Sequence, residues 1–524
     1  MEILPTEQQE EEMAKNIILC ADGTGNKGGY SPDSNVYKIY KSVDVHDDGN
    51  PQIKFYDNGI GTGNNKIWRT LSGAFGFGFK RNVCDLYLFL ARNYEPGDRV
   101  YLFGFSRGAA TIRAFSGFIH ACGLMKNTDA HGKSISDEKI KEYMHDAYKA
   151  YKKSKSIPAL ARRFREHKNS HGVIDIEFIG VWDTVSALGF PEKWDITGIG
   201  VWVLNALFKS LDFITDVIFP HRFYNYELTD NVKYACHALA IDDERLSFLP
   251  KVWDETKRKE GTVEQVWFAG MHSNVGGGYA RNGMANVALY WMMERAHNRQ
   301  LAFKNGAIKQ VYGSSHVNGR MYNSRDGLAV FYRYHPRPIS QLCEKKLTGR
   351  VRIHTSVLHR LKRQTGNYAP GNLPDNFTIV GDIEGENGRP LEFSKSAEWR
   401  KNKKSANRWI VLRKWLYGIS LETILFVLGT AVYFWVKPPA IPSEQSKNWL
   451  MQQISDVLEY VLPKMFDGII SFAVILHPHY FWICLIFVII LWIASKIASK
   501  KTIQLNEKMR AILLEATAKA AKEK

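Results

Sequence analysis

Apolar residues along this chain gather into short runs, and most of the runs end on a polar loop. Asn16-Ile-Ile-Leu-Cys-Ala21 stops at Asp22-Gly-Thr-Gly-Asn26, the pattern of a buried strand followed by a tight loop. Arg99-Val-Tyr-Leu-Phe103 follows the turn signal Glu95-Pro-Gly-Asp98. It runs into Gly104-Phe-Ser-Arg-Gly108 and then into an Ala-rich helical stretch from Ala109 to His120. Val173–Val181 leads into Trp182-Asp-Thr184, Val232–Ile241 into Asp242-Asp-Glu-Arg245, and Glu264–Ala269 into Gly270-Met-His272. Strands alternating with helical stretches predict an α/β fold, a parallel sheet with helices on both faces. In such a sheet the site lies beyond the C-terminal strand ends, which is where the polar residues fall.

Longer apolar stretches break this rhythm. Ile196–Pro220, interrupted by Lys209, Asp212 and Asp216, reads either as a buried helix or as an apolar lid over a lipid-sized cleft. Near Arg400 the composition changes. Arg400, Lys401, Lys403, Lys404, Arg408, Arg413 and Lys414 precede Leu416–Val436, whose length of roughly 30 Å as a helix matches a bilayer core. Glu422 inside this run is costly in lipid. A second run, Ile469–Ala494, is interrupted by His477-Pro-His479 and followed by Lys496, Lys500 and Lys501. Basic flanks outside the pair and a slightly acidic loop within it describe a membrane hairpin, with the catalytic domain and both termini cytoplasmic. The expected organisation is a polar N-terminal segment (1–15), an α/β domain (16–395), a basic linker (396–415), two membrane-associated helices (416–494) and a basic helical tail (495–524).

Composition narrows the partners. A formal net charge of +17 points to anionic ones, and without zinc-finger spacing or an RNA-recognition signature the choice falls on acidic lipid rather than nucleic acid. The six cysteines are far apart, which argues against a disulfide framework and against a zinc site. Met1–Lys15 is acidic and polar with no apolar core, so no Sec-type signal peptide is expected and export would need another route.

A serine hydroxyl needs exposure and a base to become a nucleophile. Gly104-Phe-Ser-Arg-Gly108 places Ser106 on a sharp strand-to-helix turn, with Gly104 and Gly108 as its small neighbours. An orienting acid and a histidine should follow in that chain order, and Asp183 and His272 do so, each at a strand end. Asp175, Asp242 and Asp243 are rival acids. Two backbone N–H groups should form an oxyanion hole, one from Arg107 and the other from Gly23 or Thr24. A haloacid-dehalogenase-type phosphatase would need an aspartate where Cys20 stands, and neither glycine-rich stretch, Gly73–Gly78 nor Gly276–Gly278, ends like a nucleotide P-loop. His237, inside a strand, reads as a packed core residue. No metal site or cofactor is expected, and calcium dependence is left open.

Asp22-Gly-Thr-Gly-Asn26, Asn35-Val36, Tyr56–Thr62, Gly104–Ala109, Gly180–Val185, His237–Arg245 and His272–Tyr279 occur in order. This series resembles the α/β-hydrolase-like domain family that includes a class of type VI secretion lipase effectors. The resemblance covers about Lys15 to Phe393. It departs from the family at Gly25, where an aromatic residue is common. It implies a phospholipase or carboxylester hydrolase with Ser106, Asp183 and His272 as its triad, and the triad order, the apolar segments and the basic flank point to a phospholipase A. It also implies a phospholipid membrane as substrate, a secretion-apparatus or immunity partner, and delivery into another cell. The alternative is a non-catalytic membrane scaffold on a hydrolase fold.

Overall fold

The sheet is built on strands whose side chains are buried on both faces. β1 (Asn16–Ala21) is buried at every position, as a central parallel strand must be. The structure, a computed structural model, describes residues 14–58, 79–185, 226–382, 388–436 and 478–522, together with 453, 456 and 457. There are short breaks at 24–25, 27, 30–31, 47–48, 155, 328 and 330–331. The chain divides into two units, one of residues 1–192, 212–395 and 513–524, the other of 193–211 and 396–512.

The first unit holds a sheet of nine strands in the order β2-β1-β3-β4-β5-β6-β7-β8-β9. The further strands are β2 (Gln52–Asp57), β3 (Arg99–Phe105), β4 (Ile176–Trp182), β5 (Val232–Ala240), β6 (Val263–Phe268), β7 (Val351–His354), β8 (Asn376–Val380) and β9 (Arg389–Glu392). Neighbours pair in parallel except β8 with β9, which is antiparallel. The helices that bear on the site are α1 (Asn35–Ser42), α2 (Phe79–Asn93), α3 (Arg107–Cys122), α4 (Asp137–Lys153), α5 (His272–Gly276), α6 (Gly283–His297) and α7 (Thr355–Lys362).

The alternation along β1 assigns the two faces. Ile17 and Leu19 enter a core with Leu86 and Leu90 of α2, Phe115 and Ile119 of α3, and Met144 of α4. Ile18 and Cys20 enter the opposite core with Val36 and Ile39 of α1 and with Trp291 and Met292 of α6. Each fully buried Ile, Leu or Phe contributes about 1.5–3 kcal/mol, so the two cores fix the order of the strands. After β1 the chain steps outward to β2 and then returns across β1 to β3. The loops leaving β1 and β3 therefore diverge, and a crevice opens at the C-terminal ends of the strands.

The second unit holds α8 (Ala397–Val436) and most of α9 (Pro478–Lys522). The expected basic linker and first apolar run form one continuous 40-residue helix rather than two elements. Pro478 opens α9, where its missing N–H costs nothing. Within α9 the stretch Trp482–Lys519 contains an 18-residue window with a mean hydropathy of 2.2, long and apolar enough by length and composition to cross a membrane. The loop expected to close a hairpin, residues 437–468, lies outside the described residues except at 453, 456 and 457, as does the expected lid at 196–220.

Candidate active site

β3 ends at Phe105 and α3 begins at Arg107, so Ser106 alone makes the turn between strand and helix. The turn forces Ser106 to φ 58° and ψ −121°, a conformation that costs a residue with a side chain about 1–3 kcal/mol. Neighbouring glycines allow the crossing. A Cβ on Gly104 would stand 2.7 Å from the Ala109 Cα, and one on Gly108 would stand 2.2 Å from the Ala21 carbonyl oxygen. The Ser106 N–H donates to the carbonyl of Trp182 at 3.1 Å, which ties the turn to the residue preceding Asp183. The Ser106 side chain makes no capping bond to α3, so its hydroxyl is not used to hold the helix.

His272 is the first residue of α5, and its Nδ1 lies 2.5 Å from Asp183 Oδ2. Asp183 is fully buried at φ 42° and receives a two-pronged ion pair from Arg337, Nη1 to Oδ1 at 2.6 Å and Nη2 to Oδ2 at 2.7 Å. The Ala240 N–H adds a further bond to Oδ1 at 3.0 Å. Burial alone would raise the Asp183 pKa. The Arg337 charge and the bonds from Arg337 and His272 outweigh it and hold the carboxyl well below the usual range. With the carboxylate ionised, Nδ1 carries the proton and Nε2 of His272 presents a lone pair. That Nε2 is buried and has no hydrogen-bond partner. Burial lowers the imidazole pKa below its ordinary value, and Asp183 only partly reverses this.

The rival acids are engaged elsewhere. Asp175 is exposed beside Lys233, 3.9 Å away. Asp242 accepts the Gly270 N–H at 2.6 Å and the Tyr368 hydroxyl at 2.9 Å, and burial pushes its pKa up to about 6. Asp243 chelates Arg245 at 3.0 and 2.7 Å and accepts the His272 N–H at 3.3 Å. The loop after β5 thus clamps the backbone that carries His272. Two aromatic rings fix the imidazole plane, Phe105 with its centroid 4.6 Å away and Phe248 edge-on at 5.0 Å. The Arg245 guanidinium lies 3.4 Å over the Phe248 ring.

The two sides of the expected oxyanion hole differ. Arg107 is the first residue of α3, and at that position a backbone N–H has no intrahelical acceptor. Gly23 sits close by, since a Cβ there would stand 3.2 Å from the Ser106 Cβ. Its N–H, however, donates to Asp22 Oδ1 at 2.6 Å and is not free to meet an oxyanion. Thr24 lies outside the described residues. Asp22 also accepts from Asn26 Nδ2 at 3.0 Å, from the Tyr56 hydroxyl at 2.6 Å and from the Ser34 hydroxyl.

Arg337 is the residue that sequence reasoning misses. It is fully buried, stands 154 positions from Asp183, and also donates to the carbonyls of Ala240 at 2.5 Å and Phe248 at 2.7 Å. Its local context, Pro336-Arg337-Pro338, reads only as an extended loop. His237 is a buried neutral residue, with its pKa pushed down to about 3 by burial, and its Nε2 accepts the Thr184 N–H at 3.2 Å. Among the described residues no group of three or more His, Cys, Asp and Glu side chains is placed to hold a metal ion.

Comparison with known proteins places this geometry in context. The family model described as T6SS, phospholipase effector Tle1-like, catalytic domain matches residues 15–295, more than half of the chain. The uncharacterized protein YEL023C of Saccharomyces cerevisiae is 31% identical over 188 residues, covering 33% of this chain and 27% of that protein. The chain thus spans about a quarter of the length of the curated relative it matches. A solved Tle1 effector bound to the VgrG spike of the Type 6 secretion system is 13% identical, with a TM-score of 0.33, covering 74% of this chain and 92% of that one. An uncharacterized protein from Pseudomonas aeruginosa is 15% identical, with a TM-score of 0.32, covering 87% of this chain and 63% of that one.

Proposed function

The chain belongs to the Tle1-like family of type VI secretion phospholipase effector catalytic domains, and from that premise we propose that it is a serine hydrolase cleaving carboxylester bonds of membrane phospholipids. The observation that carries the reading is the buried 2.5 Å contact between His272 Nδ1 and Asp183 Oδ2, on a histidine whose Nε2 is left without a partner. In the proposed reaction the Ser106 Oγ attacks the ester carbonyl as His272 Nε2 takes its proton. The tetrahedral oxyanion is met by the Arg107 N–H, with a second donor expected from Thr24 rather than Gly23. His272 then passes the proton to the leaving lysophospholipid oxygen, and water releases the fatty acid by the same steps. Asp183 keeps the imidazole in the required tautomer and offsets its charge, while Arg337 keeps Asp183 ionised. Cleavage of acyl chains makes the activity that of a phospholipase A. A secretion-apparatus partner and a target membrane in another cell belong to this reading through the family's description.

The test is fatty-acid release from defined phospholipids by the purified full chain and by Ser106→Ala. Release should fall by about 10³-fold or more, with an unchanged melting temperature. A folded Ser106→Ala protein with full activity would exclude Ser106 as the nucleophile.

A further inference from the structure

A cavity of about 870 Å³ is lined by the start of α6, the 314–320 segment and the end of α7. Its charge is one-sided. Arg281, Arg320 and Arg363 line it with His316 and His359, and no aspartate or glutamate does. Arg281, Arg320 and Arg363 form no ion pair among the described residues, and all three are exposed, so their charges face the opening. Like charges gathered around a concave wall focus a positive potential into it, which draws an anion. The first turn of α6 opens on the same space, with no acidic residue in it and no side-chain cap from Asn282.

The wall is a built surface. Buried Arg360 donates to the carbonyls of Val317 at 2.8 Å and Gly319 at 2.9 Å, so these lining carbonyls are bonded to a cation in the protein interior. The His316 N–H donates to the Gly283 carbonyl at 2.8 Å, which joins the segment to α6. Asn274 of α5, two residues after His272, donates to the Arg320 carbonyl at 3.1 Å and accepts the Tyr322 N–H at 3.1 Å. One short helix therefore carries the candidate base and holds the arginine-bearing wall. A group anchored in the cavity would be registered against the candidate active site.

We propose that this cavity binds the phosphate-bearing headgroup of an anionic phospholipid and so selects anionic over zwitterionic lipid. An inorganic phosphate would leave most of the volume empty, whereas a headgroup with its glycerol is of the size such a space accommodates. Arginine forks suit phosphate oxygens, and a zwitterionic headgroup would bring its ammonium against three guanidinium groups that have no carboxylate partner among the described residues, Arg320 lying over the Tyr322 ring at 5.1 Å. The selectivity rests on the hydrolase reading above, because it supposes that the bound lipid is the substrate. Anion binding itself does not.

The test uses the full-length Ser106→Ala chain in neutral detergent micelles doped with fluorescent phosphatidylglycerol or phosphatidylcholine, with binding read by anisotropy. Phosphatidylglycerol should bind about tenfold more tightly than phosphatidylcholine, and R281E/R320E/R363E should abolish the difference. Arg320→Gln alone, a milder surface change, should reduce the preference in the same direction even if the triple variant fails to fold. Equal binding of the two lipids, or a preference that survives both variants, would overturn the proposal. So would inorganic phosphate binding as tightly as phosphatidylglycerol, which would make the cavity a free-phosphate site. Fluorophosphonate labelling of the unaltered chain reports separately on the hydrolase reading, so the two can fail independently.

Discussion

Asp22 and Asp183 are both buried carboxylates at the C-terminal ends of parallel strands, yet their surroundings push them in opposite directions. Asp22 is met only by neutral donors, from Gly23, Asn26, Ser34 and Tyr56, and burial leaves its pKa above the ordinary value. Asp183 is met by a buried guanidinium, and its pKa falls well below that value. The first arrangement knots a loop, whereas the second maintains a fixed negative charge against a histidine. The difference lies in one cation, brought from a distant proline-flanked loop. Burial of a carboxylate is therefore no guide to its role until its partners are known.

The comparison is broken most severely at Asp183. Asp183→Asn should lower turnover by about 10⁴-fold, because an amide neither fixes the His272 tautomer nor offsets its positive charge. It also strands the Arg337 charge, so stability should fall by about 3–5 kcal/mol in denaturant unfolding. Pairing it with Arg337→Met should return much of that stability and none of the activity, which separates folding from chemistry. Arg337→Met alone leaves Asp183 buried without its cation, and a similar loss of about 3–5 kcal/mol is expected. In the protein that survives, the acid limb of the rate profile should move to higher pH if Asp183 stays ionised, because its charge then acts undiluted on the imidazole. An unmoved limb would show that Arg337 does no more than hold the fold.

Asp22→Asn should have a smaller effect. The new amide brings a donor into a ring of donors, at a cost of about 1–3 kcal/mol in stability, with activity reduced far less than in Asp183→Asn. Smallest is the effect of pH on the unaltered chain. The His272 pKa is lowered in the fold, so the free base persists below the ordinary imidazole value. The unfolded chain takes up a proton there that the folded one refuses, so this histidine's contribution to stability is complete above that value and declines as pH falls beneath it. Asp183 contributes above the ordinary carboxylate range and is lost as pH falls through that range toward its lower folded value. Hydrolysis should accordingly rise with an apparent pKa below 6.5, and a limb above that value would contradict the assignment of a depressed base.

What the sequence discloses is what is local. Runs such as Asn16–Ala21 and Arg99–Phe103 are apolar after their first residue and end on polar loops, so the central strands and the turn at Ser106 are legible from periodicity and glycine spacing alone. β7 and β9 are only four residues long and carry charged residues, as in Val-Arg-Ile-His354, so no periodicity marks them and tertiary pairing alone makes them strands. The choice of Asp183 over Asp242 and Asp243 depends on which carboxylate faces the imidazole, and chain order leaves that open. Gly23 illustrates the opposite limit. Its closeness to Ser106 is readable from its motif, but the direction of its N–H depends on Asp22.

Activation of Ser106 by His272 and Asp183 can be read by fluorophosphonate labelling of the purified full chain, with the adduct mapped by mass spectrometry. A single adduct on Ser106 is expected, lost in His272→Ala although the serine is still present. Labelling of another residue, or labelling of Ser106 that persists undiminished without His272, would contradict it.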